Sequence, residues 1–184
     1  DDFQADLVHH GGVNKALFLF SSITYEKISS SFDNSFDMAN IAFFGENLIL
    51  DKICEKDICV GDILKIGQAK VQITQPRQPC WKLSANSLKN SMTKFIFETG
   101  LTGFYAKVLK EGQISQNDDV VLEQRTNPNL TIEKLNQIIV EPKIDINLTK
   151  EALACEDLGH QFKSSLTKRY EQGDEDNQFS FYHT

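Results

Sequence analysis

The sequence has no uninterrupted apolar run of membrane-spanning length, which argues against a transmembrane helix. Positive charge is scarce. Nineteen Lys and Arg stand against 26 Asp and Glu, a net charge of -7, so non-specific binding to nucleic acid or to an anionic membrane is not expected. Any anionic ligand must be held by a local cluster of cations against that background. Cysteine is sparse: Cys54, Cys59, Cys80 and Cys155. No Cys-x-x-Cys pair occurs, and His9, His10, His160 and His183 do not stand at ligand spacing from the cysteines, which argues against a zinc site. A chain of 184 residues with so few cysteines is not a disulfide scaffold; reduced thiols in a cytoplasmic protein are expected instead. No signal-peptide pattern is visible. The opening Asp1-Asp2-Phe3 nevertheless reads as mid-domain sequence, so residues are expected to precede it.

What is present is ordinary in composition, with 40% apolar and 24% charged residues, and is long enough to bury a real core. The most distinctive stretch is Gln75-Pro76-Arg77-Gln78-Pro79-Cys80-Trp81-Lys82. Two prolines fix φ and push the preceding residues into extended geometry. The stretch follows the alternating Ala69–Thr74, so a strand runs into a rigid turn that presents one thiol between Arg77 and Lys82. Nearby positive charge favours the thiolate, which is both nucleophile and metal ligand. The same local chemistry serves a buried structural cysteine beside the only Trp, and the stretch alone does not separate the two.

Further short strands are expected at Ile58–Val60, Ile63–Ile66, Phe104–Leu109 and Val120–Glu123, separated by turns such as Gly61-Asp62, the pattern of a barrel or sandwich. In 41–50 the apolar run breaks at Gly45, which predicts a bend that sets Glu46 and Asn47 at a rim. Gly11-Gly12 ahead of Lys15 suits an anion-binding loop or a plain turn. Ser22 is a candidate cap for a short helix through Ile28, and 29–40 reads as a surface loop. Leu88, Met92, Phe95 and Ile96 predict a helix within 84–99. After Asn127-Pro128-Asn129 the character changes. Thr131 and Thr149 are candidate caps for two helices, the first stopped by Pro142. Leu158, Phe162, Leu166 and Tyr170 mark a third. The expected division is a mainly β domain over 1–126, its N-terminal strand missing, and a three-helix segment over 127–184 with a frayed tail.

These motifs, taken together, resemble the molybdenum cofactor sulfurase C-terminal (MOSC) domain family. The segment Gln75–Leu83 looks like its signature. Four others are similar in the family's order: His10-Gly11-Gly12-Val13-Asn14-Lys15-Ala16, Phe44-Gly45-Glu46-Asn47-Leu48, Val60-Gly61-Asp62 with Ile66-Gly67, and Thr102-Gly103-Phe104-Tyr105. The resemblance spans about residues 2–123, and the tail resembles the three-helix segment of a stand-alone bacterial subfamily. It implies a β-barrel whose cleft holds a molybdenum–pterin cofactor, with Cys80 as the thiolate ligand to molybdenum. It also implies reduction of a small N-hydroxylated substrate with electrons from a separate reductase. His10, the Gly11 and Gly12 amides, Lys15 and Arg77 would hold the cofactor's phosphate, and Asn47 would suit the polar edge of the pterin. An alternative within the resemblance is a sulfur carrier bearing a persulfide on Cys80. The helical tail is expected to cover the barrel, to shape the substrate entrance or to make a homodimer contact.

Overall fold

The computed structural model describes residues 12–32 and 42–172. Among these residues six strands form one curled sheet. They are β1 (Leu17–Ser21), β2 (Leu48–Leu50), β3 (Ile63–Ile66), β4 (Ala69–Pro76), β5 (Phe104–Lys110) and β6 (Val120–Gln124), in the spatial order β2-β1-β5-β4-β3-β6. Only β1 and β2 run parallel; the other neighbours are antiparallel. Among the described residues six α-helices accompany them: α1 (Ser22–Phe32), α2 (Lys82–Ser87), α3 (Met92–Thr99), α4 (Ile132–Val140), α5 (Ile146–Ala154) and α6 (His160–Gln172), with a 3-10 turn at Val13–Lys15. This is the expected β-barrel-like frame followed by three C-terminal helices.

Strand alternation divides the apolar residues between two clusters. Leu19, Val71, Ile73, Phe104 and Ala106 face a core that continues without a break into Leu135, Ile138, Phe162 and Leu166 of the C-terminal helices. That core crosses position 126. Phe18 and Phe20, one residue out of phase, join Tyr25, Ile28, Phe44, Met92 and Ile96 on the other face.

Several expectations need correction. Residues 58–60 are no strand. Cys59 makes a single bridge to Thr131, because Ile58 and Val60 are tied to the segment leading into α4. The helix after β1 runs past Ile28 to Phe32. Ser30 and Ser31 turn their hydroxyls back to the carbonyls of Glu26 and Lys27 and so tolerate helical geometry. Ser22 does not cap it. Its hydroxyl donates to Asp51, while the Ser21 hydroxyl accepts from the Ile23 amide. The helix expected over 84–99 is two helices, broken where Leu88 takes a left-handed φ of 54° and stands 89% exposed. Asp145, not Thr149, caps α5, and Thr149 is buried inside that helix, donating to the Pro142 carbonyl. Thr131 caps α4 as expected, accepting from Lys134.

Candidate functional site

Strand β4 enters the site through an irregularity. Ile73 pairs with Ala106, yet Gln75 pairs with Tyr105, so Thr74 is an extra residue in the β4–β5 ladder. Bulges of this kind re-aim the side chains beyond them. The Thr74 hydroxyl reaches the carbonyls of Asn14 and Tyr105, and the Thr74 carbonyl accepts from the Gly159 amide. One residue thereby fixes the 12–15 loop, the sheet and the start of α6. Beyond it the chain continues through Pro76, paired with Phe104, and the Arg77 amide donates to the Gly103 carbonyl. Gly103 has φ 67°, and a Cβ there would lie 2.7 Å from the Leu19 carbonyl oxygen, so the sheet closes up only with glycine at this point.

Tyr105 is the centre of the site. It pairs with Phe18 of β1 on one side and Gln75 of β4 on the other, and its ring lies 5.3 Å from that of Phe18. The Lys15 ammonium stands over the Tyr105 ring at 5.3 Å, and the Arg77 guanidinium over the Phe18 ring at 5.1 Å. Burial pushes the Tyr105 phenol up; the Arg77 charge and its hydrogen bond pull it down, and the nearby Cys80 pushes it up again. Lys15 is driven below the ordinary lysine range, first by burial and then by the Arg77 charge. Two cations and one thiol therefore converge on one phenol. Arg77 Nη1 and Gln75 Nε2 are buried without a hydrogen-bond partner. A buried donor with no acceptor is costly, so these two atoms suit a ligand that brings acceptors of its own.

Cys80 follows this cluster and is half-buried, with a free thiol. Its carbonyl accepts from the Leu83 amide and from the Thr93 hydroxyl, and Thr93 in turn accepts from the Ser84 amide, so α2 and α3 hold the turn from behind. Trp81 is 62% exposed and Lys82 opens α2 at the surface. Cys80 is thus only partly buried, and the neighbouring Trp81 is turned to the surface. Gly12 and Lys15 border a cavity of about 230 Å³ with Val13, Asn14, Gln75 and His160.

The expected site residues do not all meet here. Lys15, Arg77 and Cys80 surround Tyr105, and Gly12 lies beside them. His10 and Gly11 fall outside the described residues. Asn47 accepts from the Phe18 amide through Oδ1 at 2.7 Å, and its own amide donates to the Phe18 carbonyl. It extends the β1–β2 pairing and borders a different cavity, about 790 Å³, between β2 and the 114–120 loop. Glu46 is no rim residue. It is buried and accepts from the Tyr25 hydroxyl and the Phe44 amide. Sequence reasoning missed Gln75, Thr93 and His160 as parts of the site and gave Tyr105 no role in it. The one available signal was Gln75, which stands in the stiff stretch itself.

The model of the MOSC domain matches residues 6–121. The chain belongs to the MOSC domain family. It is 33% identical over 172 residues to the uncharacterized protein YflK of Bacillus subtilis, a match spanning 91% of this chain and 75% of that protein. It is 27% identical over 143 residues to a protein named a reductase from Gibberella moniliformis, covering 77% of this chain but 26% of that protein. The crystal structure of YiiM from Geobacillus stearothermophilus superposes with a TM-score of 0.79 at 33% identity, covering 86% of this chain and 80% of that one. The MOSC fold and its C-terminal helices are therefore shared with stand-alone relatives. Among the described residues no helix is long and apolar enough to cross a membrane.

Proposed function

We propose that this MOSC protein binds a molybdenum–pterin cofactor, with Cys80 as the protein's thiolate ligand, and reduces small N-hydroxylated compounds. The observation that carries the reading is the convergence of Lys15, Arg77 and Cys80 on Tyr105, with Arg77 Nη1 and Gln75 Nε2 buried and unpartnered beside them. Such a donor set suits an anionic group, and a soft thiolate suits a metal already bonded to sulfur. The cofactor, when bound, supplies the two-electron oxygen-atom chemistry. The chain's own part is to hold and orient it. Arg77 presents its guanidinium fork and donates to the Tyr105 phenol oxygen, and the Thr93 hydroxyl on the Cys80 carbonyl holds the turn that carries the thiol. A separate reductase delivers the electrons, and the protein works in the cytoplasm, where its thiols stay reduced. The reductase name of one relative agrees with the reaction class, although this chain spans 26% of that protein.

The deciding experiment is metal and pterin analysis of protein made in a host with intact molybdenum cofactor synthesis, beside the Cys80→Ser variant. Stoichiometric molybdenum and pterin in the parent, with molybdenum lost from the variant along with reduction of a hydroxylamino base, is the expected result. A variant that keeps its molybdenum and its activity sinks the assignment. An extra labile sulfur on Cys80 with no molybdenum replaces it with the sulfur-carrier reading.

A further inference from the structure

The helices behind Cys80 carry a surface with a charge of its own. Between Asp62 and Glu98 the sequence holds no acidic residue, while Lys65, Lys70, Arg77, Lys82, Lys89 and Lys94 fall inside that span, in a chain of net charge -7. Lys65 and Lys70 belong to β3 and β4; Lys82, Lys89 and Lys94 belong to α2, the turn after it and α3. Lys82 and Lys94 are exposed and Lys89 is half-buried. Among the described residues, of these three only Lys94 has an acidic partner, Glu98 one turn on at 3.9 Å, and an exposed pair of that kind holds little. Two large apolar side chains stand among the cations. Trp81, next to Cys80 in the chain, is mostly exposed, and Leu88 at the far end of α2 is almost fully so. Leu88 closes α2 in the left-handed region, a position that glycine or asparagine ordinarily takes because a Cβ is unfavourable there. It bears the backbone cost of a side chain and the hydration cost of an apolar one, and buries almost nothing in return. The surface is also stiff. The Ser84 hydroxyl bonds the Asn90 carbonyl and the Thr93 hydroxyl, the Lys89 amide donates to the Ser87 hydroxyl, and Thr93 holds the Cys80 carbonyl. Trp81 and Leu88 are thereby presented from a frame that is tied to the thiol turn.

We propose that the face built by Trp81, Lys82, Leu88 and Lys89 is the docking surface for an acidic electron-carrier protein that holds a reduced flavin. The lysines steer an acidic face toward the thiol, and the two apolar side chains supply the dry centre of the contact. The inference rests on the reductase reading for the partner's task, but not for the surface itself. In that task the reduced flavin gives up two electrons and two protons, the N–O bond of the hydroxylamine breaks, and the products are the amine, water and oxidised flavin. A flavin stores both electrons, so one docking serves one turnover. A second copy of the chain suits the surface poorly, because a two-fold contact would set like cations against each other. A nucleic acid strand, charged along its whole length, would also meet the rest of an acidic chain, whereas a compact acidic face meets only this patch.

The test titrates the full chain with oxidised flavodoxin, an acidic flavin carrier, and reads binding by calorimetry. The parent should bind saturably at low salt and more weakly as salt rises. The double variant Lys82→Glu/Lys89→Glu and the single variant Leu88→Gly should each weaken binding at least tenfold. Leu88→Gly relieves the left-handed backbone, so its melting temperature should be unchanged or higher, which separates lost docking from lost folding. The control is Lys65→Glu/Lys110→Glu, with the same change in charge. Both residues pair with Lys70 at the start of β4, the end away from Cys80, and the control should bind like the parent. No saturable binding by the parent, equal weakening in the control, or tighter binding of a single-stranded oligonucleotide than of flavodoxin overturns the surface. Turnover of a hydroxylamino base with reduced methyl viologen, in protein from a cofactor-competent host, separates the two proposals. A parent that binds flavodoxin at this face but is inactive with methyl viologen keeps the surface and removes the reductase. A parent active with methyl viologen that does not bind flavodoxin removes the surface and keeps the reductase.

Discussion

Two arginines divide the molecule by what surrounds them. Arg125, just beyond β6, makes a two-pronged ion pair with Asp62 at 2.9 and 2.7 Å and donates again to the Asp57 carbonyl. Asp62 is fully buried and also accepts from the Cys59 amide. Nearby, Asp157 gathers Gln72, Thr126 and Asn127 in the same way. The buried charge of that region meets its partners, and the contacts join the sheet to the segment leading into the helices. Arg77, by contrast, lies over an aromatic ring with one Nη atom buried and unmatched, and the neighbouring Gln75 amide shares that condition. Folding satisfied the first arginine and left the second incomplete. The incomplete one sits beside the thiol.

Substitution at the two arginines breaks the comparison most directly. Arg125→Leu leaves the buried Asp62 carboxylate uncompensated. The guanidinium is one-third exposed, which tempers the loss, so about 2 kcal/mol of stability should disappear in urea denaturation. Thr93→Val removes the bond to the Cys80 carbonyl and should cost about 1 kcal/mol, with faster alkylation of Cys80 as its second readout. Arg77→Leu should change stability by about 1 kcal/mol or less, because the loss of the ring contact and of the hydrogen bond to Tyr105 is offset in part by removal of an unsatisfied donor. Cofactor retention should nevertheless fall sharply in that variant. A loss as large as that of Arg125→Leu would show that Arg77 is structural.

The smallest effect concerns Lys15, and its sign is the informative part. The folded-state pKa lies below that of the unfolded chain, so between those two values the unfolded state binds more protons and stability rises with pH. Below the folded pKa the charged lysine is a full destabilising contribution; toward the ordinary value of 10.5 it is relieved. Lys15→Met should therefore be slightly more stable than the parent at neutral pH, with the gap closing as pH rises toward 10.5. An inorganic anion that binds beside Lys15 should narrow the gap at neutral pH as well. Thermal melts across pH, with and without phosphate, measure both.

Much of the frame was legible in the sequence because it is locally encoded. Alternation marks β4 and β5, Thr131 and Pro142 bracket α4, and the four-residue recurrence of Phe162 and Leu166 marks α6. Failures came where tertiary contacts override local pattern. Leu88 has helical spacing but ends α2 in a left-handed turn, and Thr149 has capping chemistry but is used inside α5. At the candidate site, the Gln75–Lys82 stretch drew attention to Cys80 and Arg77, which the fold brings to Tyr105. Tyr105 gained its position from the register of β1, β4 and β5, with the Thr74 bulge setting the phase. His160 gained its position from the Gly159–Thr74 bond, across 85 residues of chain. No local pattern encodes either relation.

Trp81 has a consequence of its own. It is the chain's only tryptophan, it is 62% exposed, and it is covalently next to Cys80. Indole emission from this protein therefore reports a single place, one residue from the proposed metal ligand. Whatever binds there as a coloured or heavy group will quench a signal that no second tryptophan dilutes. The sequence has supplied the site with its own optical gauge.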